Sequence, residues 1–153
     1  MRKRTIARVL AVALGAALAL GTLAGCQSPA TGATDQQQAN RTYMTKVNQA
    51  VEELNTRLGE FDEAVAQESV VNMRNKANSA FEAIDALAAI DTPDAMKDLQ
   101  TNYVDGCNKL KDALNSYIDL YTEISSATEE APFDFSAYDG RVKEIQDAYN
   151  EGI

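Results

Sequence analysis

The chain has 153 residues, 45% of them apolar and 24% charged, with 14 Lys and Arg against 23 Asp and Glu for a formal net charge of −9. That length fits one compact domain with short appendages, and eight Gly with three Pro supply little turn chemistry for a many-stranded β fold. A chain with no His and only two Cys has no Ser-His-Asp or Cys-His pair, no His-ligated zinc or haem, no four-Cys metal site and no disulfide framework.

The N-terminus has the three parts of a secretory signal. Arg2, Lys3, Arg4 and Arg8 form a positive segment, the residues from Val9 onward form an apolar one, and small residues follow. The apolar run from Val9 to Ala24 is short of the roughly 20 residues that a transmembrane helix needs, so cleavage is expected rather than a permanent span. Arg2-Lys3-Arg4 does not make a twin-Arg export motif.

Directly after this run, Leu23-Ala24-Gly25-Cys26 resembles the lipobox of bacterial lipoproteins. The resemblance implies that the Cys26 thiol receives a diacylglycerol, that residues 1–25 are removed, and that the mature chain begins at Cys26. Ala24 and Gly25 are small enough to let a peptidase reach the backbone. Several acyl chains give stable membrane attachment where one is marginal, which places the protein at the extracytoplasmic face of the cell membrane. Removing residues 1–25 removes four basic residues and no acidic one, leaving a formal charge of −13. Phosphate backbones and anionic lipid headgroups repel such a body. Nucleic acid is therefore not an expected partner, and the lipid rather than the protein surface holds the membrane.

Residues 27–38 are small and polar with one Pro and one Gly. They read, with Cys26, as a flexible tether over 26–38, with an r.m.s. reach of roughly 20 Å. The remaining residues, 39–153, are expected to form an all-α domain, an antiparallel bundle of three to four helices. Val47, Val51, Leu54, Leu58, Phe61 and Val65 step by four and three along one helical stripe, which predicts a helix over 39–66. The stripe then slips by two positions to Val70, Met73, Ala77, Phe81, Ile84 and Leu87. That slip turns the apolar face by about 200°. No Gly or Pro marks the break; packing one stripe on the other favours a hairpin over a kinked rod, with a second helix over 70–89.

Thr92-Pro93-Asp94 reads as an N-cap, a first helical residue and a dipole-complementing acid. A third helix over 93–127, the spine of the bundle, carries Met96, Leu99, Tyr103, Cys107, Leu110, Leu114, Tyr117, Tyr121 and Ile124 on one stripe. After Pro132, Phe133 can staple onto Tyr138 across a capping Asp134. A fourth helix over 135–150 follows, with Tyr138, Val142, Ile145 and Tyr149 as its apolar side.

Motifs for chemistry are sparse. Carboxylate pairs such as Glu52 with Glu53, Asp62 with Glu63, and Glu129 with Glu130 lack the loop spacing of a calcium site. No glycine loop for phosphate is present, and neither metal nor cofactor is expected. Cys107 is expected to be buried and inert, unassisted by Lys109 and Lys111. Tyr103, Tyr117 and Tyr121 are candidates to line a small-ligand pocket between helices, although such rings more often fill a core.

Taken whole, the chain resembles the small helical surface lipoproteins of Gram-positive bacteria; Gram-negative lipoproteins carry the same lipobox. The expected function is a non-enzymatic, lipid-anchored bundle that binds a protein partner in the cell envelope. The competing expectation is a ligand-binding or sensing module with its pocket near Tyr117 and Tyr121.

Overall fold

The structure, a computed structural model, describes residues 34–153. The expected signal sequence, Leu23 to Cys26 and most of the expected tether lie outside the described residues. Those described form four α-helices and no strand: α1 (Asp35–Ala66), α2 (Val70–Ala88), α3 (Lys97–Ser126) and α4 (Tyr138–Gly152). None of these helices is long and apolar enough to cross a membrane.

Helix α1 begins four residues earlier than the apolar stripe alone predicts. Thr34 and Gln37 make a capping box: the Gln37 amide donates to Thr34 Oγ1 at 3.3 Å and the Thr34 amide donates to Gln37 Oε1 at 3.1 Å. Asp35 in the first turn complements the positive helix end. Asp35 to Gln38, expected in the tether, are therefore helical.

The break after Ala66 is a hairpin rather than a kink. The Glu68 amide donates to Val65 O at 3.0 Å and the Ser69 amide to Ala64 O at 3.5 Å, the paired bonds of a Schellman helix ending. The left-handed residue this motif requires is Glu68, at φ 56°. Ser69 then caps α2 by accepting from the Asn72 amide at 3.3 Å.

The other two connections depart from the sequence reading in detail. Thr92 does not cap a helix; its hydroxyl donates back to Ile90 O at 2.9 Å. Pro93 stands instead before a 3-10 turn, Asp94–Met96, closed by Met96 N donating to Pro93 O at 2.8 Å. The α-helix proper starts only at Lys97. Likewise Phe135–Ala137 form a 3-10 turn before α4. Asp134 accepts from the Ser136 amide at 2.9 Å, and the staple forms, with the Phe133 and Tyr138 rings edge to face at 6.5 Å.

Cross-helix pairs fix the topology. Lys76 reaches Glu60 across the first hairpin, Arg74 reaches Asp119 and Lys111 reaches Asp85 between α2 and α3, and Arg141 and Lys109 reach Glu123 and Glu151 between α3 and α4. Each neighbouring pair is thus antiparallel. Tyr43 with Gln100 and Phe61 with Tyr117 rank α1 parallel to α3. The pattern is an up-down-up-down bundle.

These ion pairs are exposed and worth little each; the core carries the fold. Met73, Leu114, Tyr117, Ile118 and Leu120 are fully buried, and each such apolar side chain contributes about 1.5–3 kcal/mol on burial. Four of those five lie on α3, which packs against both α2 and α4 and meets α1 through its side chains. The predicted spine is therefore the central helix. Ala80 and Ala83, outside the predicted α2 stripe, are buried, while Phe81, inside it, is only half-buried.

Candidate functional site

The three candidate tyrosines separate in the fold. Tyr117 is fully buried and Tyr121 nearly so. The Tyr117 ring packs edge to face on Phe61 at 5.9 Å, and the Tyr121 hydroxyl donates to Glu68 O at 3.4 Å under the first hairpin. Both rings are core side chains at the hairpin end of the bundle. Burial pushes both phenols up, and Asp62, Tyr121 and Tyr138 act on Tyr117 in the same direction. The Tyr117 hydroxyl is enclosed and, among the described residues, has no hydrogen-bond partner.

Tyr103 lies about four turns from Tyr117 and about five from Tyr121 along α3. It lines a hollow of about 170 Å³ with Cys107, Leu110, Val51 and Gly152. The last turn of α4 closes this hollow. Gly152 sits so near α3 that a Cβ on it would stand 2.8 Å from the Leu110 amide nitrogen, and Lys109 grips Glu151 at 2.6 Å beside it. Cys107 is buried and unpaired. Lys111, one helical turn on, does lower its thiol pKa, contrary to the expectation of no assistance, but burial is the larger effect and raises it. The balance leaves a thiol that resists ionisation.

A second hollow opens on the outside, along the seam of α3 and α4, with a volume of about 390 Å³. Its α3 wall is Asp112, Ser116, Asp119 and Glu123, stepping by four, three and four so that one exposed stripe faces the seam. Its α4 wall is Arg141 and Glu144, and Ala113, Ile145 and Ala148 form an apolar floor. At the upper end Arg141 holds both oxygens of Glu123, at 2.5 and 2.9 Å. This contact keeps the Glu123 carboxyl below the usual range. Asp119 is drawn to Arg74 at 3.3 Å from outside the groove. Among the described residues, Asp112 and Glu144 have no ion-pair partner.

Just beyond that upper end stands an aromatic cluster. Phe133 and Phe135 meet edge to face at 4.8 Å, and Tyr138 completes the group at 6.0 Å from Phe135. Phe135 is 53% exposed. The acids nearby in sequence, Glu129, Glu130, Asp134 and Asp139, are all exposed. The sequence marks Phe133 and Tyr138 as a staple, whereas Phe135 lies on no apolar stripe and in no cap, and that odd position is its signal.

Among the described residues no group of three or more His, Cys, Asp or Glu is disposed to hold a metal ion. Compared with protein-family models, with curated proteins and with solved structures, the chain matches none.

Proposed function

We propose that the protein is a lipid-anchored, extracytoplasmic adaptor: a non-enzymatic helical bundle held to the cell membrane through Cys26 that binds a protein of the cell envelope. The anchoring half of this reading rests on Leu23-Ala24-Gly25-Cys26 following a signal-type apolar run. The adaptor half rests on one observation, the exposed Phe135 ring packed against the half-buried Phe133 and Tyr138. An exposed, clustered aromatic is costly to leave in water and is the side-chain type that dominates protein interfaces. The cluster also lies at the end of the bundle remote from Asp35, where the tether would enter. Helix α1 has 32 residues, so that end is about 48 Å from the entry point.

The competing reading, a small-ligand module, has less support. Tyr117 and Tyr121 are packed in the core, and the hollow beside Tyr103, at about 170 Å³, is below the roughly 300–1,000 Å³ typical of ligand pockets.

Crosslinking the lipidated protein in intact cells of its source, with a Cys26→Ala version as control, tests the proposal. A single dominant protein partner, lost when the anchor is removed, is the expected result. The absence of any specific protein, together with a thermal shift by one small molecule, would overturn it.

A further inference from the structure

Building on the adaptor reading, the geometry points to the α3–α4 seam as the docking groove, and to a basic amphipathic helix of the envelope partner as its occupant. Three properties of the groove select that chemistry. The first is charge: four carboxylates line it against one guanidinium, and that guanidinium is already committed to Glu123. Asp112 has no ion-pair partner among the described residues, and Glu144 feels Arg141 only beyond ion-pair distance, so both can attract cations from a partner. A protein of formal charge −13 after loss of residues 1–25 also steers a basic partner toward itself over long range.

The second property is spacing. Asp112 and Asp119 are seven residues apart on one helix face, about 10.5 Å along the axis. Lys or Arg residues two turns apart on a helix laid along the seam would meet them in register, the one at Asp119 in competition with Arg74, whose contact there is exposed and 3.3 Å long. The third is the floor. Ala113, Ile145 and Ala148 are small or apolar, so a helix backbone can approach closely and bury an apolar stripe while its basic flank meets the wall. A free polyamine satisfies the charges and leaves the floor wet. Phe135, exposed in the turn that leads into α4, offers an aromatic contact at the end of the bundle where Arg141 and Glu123 stand.

A photoreactive residue placed at Ser116, inside the groove and exposed, and separately at Gln49, exposed on α1, tests this in cells with the full lipidated chain. The expected result is a crosslink from Ser116 to a Lys- and Arg-rich helical segment of one envelope protein. In the Asp112→Lys, Glu144→Lys double variant the yield should fall about tenfold or more, while the melting transition of the purified variant shows that it stays folded. Crosslinking to a partner from Gln49 but not from Ser116 would overturn the groove and leave the adaptor reading standing. A neutral or acidic crosslinked segment, or a yield unchanged by charge reversal in the folded variant, would overturn it as well. No protein crosslink from either position would overturn the groove, and the absence of any specific protein partner in the Cys26→Ala-controlled crosslinking would overturn the adaptor reading with it.

Discussion

Glu68 is the one non-glycine residue among those described that holds a left-handed backbone, at φ 56°, and replacing it with glycine should stabilise the protein. The Schellman bonds from the Glu68 and Ser69 amides force this conformation, which costs a residue with a Cβ about 1–2 kcal/mol. Glycine escapes that cost but loses about 0.5–1 kcal/mol more backbone entropy on folding. The Glu68 side chain is exposed and makes no ion pair, and the Tyr121 hydroxyl bonds only its backbone carbonyl. That backbone contact is kept in Glu68→Gly. The net gain is therefore about 0.5–1 kcal/mol, read as a rise of roughly 2–5 °C in the midpoint of a thermal melt followed by helical circular dichroism. Glu68→Ala keeps the Cβ and should stay within about 0.5 kcal/mol of the parent. If Ala stabilised as much as Gly, or if Gly destabilised, strain at this turn would not be the cause.

Two further substitutions test the packing. Tyr117→Phe removes a buried hydroxyl that has no partner and keeps the ring against Phe61; it should leave stability unchanged or raise it by about 1 kcal/mol in urea unfolding, whereas a loss of that size would show that the hydroxyl is hydrogen-bonded. Gly152→Ala places a Cβ within 2.9 Å of Gly106 O and Leu110 Cβ, so the last turn of α4 must move off α3. It should speed amide exchange in residues 148–152 and cost about 1–3 kcal/mol, while Gly106→Ala, whose Cβ would stand 3.5 Å from its nearest neighbour, should be tolerated.

The fold was legible because its strongest signals are periodic. The stripe from Val47 to Val65 is buried apart from the half-buried Val51, and the one from Met96 to Ile124 is buried from Cys107 onward while Met96, Leu99 and Tyr103 are half-buried, since a helix that shows an apolar face every 3.6 residues has to cover most of it. What escaped the sequence was local and conditional. Thr34 reads as tether until Gln37 is seen three residues on, because a capping box is a pair property. The hairpin carries no glycine because Glu68 tolerates a conformation that composition does not advertise. Gln100 looks like any surface amide, yet it accepts from the Tyr43 hydroxyl at 2.6 Å and donates to Leu87 O at 2.9 Å, tying α1, α2 and α3 together. No periodicity encodes a side chain that answers three helices at once.

The candidate groove was hidden for a related reason. Asp112, Ser116, Asp119 and Glu123 read along the chain as the solvated side of a spine helix, and they are exposed. They become a wall only because α4 lies antiparallel beside them, its direction fixed by Glu123 with Arg141 at one end and by the close approach of Gly152 to α3 at the other. A polar stripe on a lone helix specifies no ligand. The same stripe facing Glu144 across a floor of Ala113, Ile145 and Ala148 combines charge, spacing and an apolar floor, and the proposed docking of a basic amphipathic helix rather than a free cation rests on that combination.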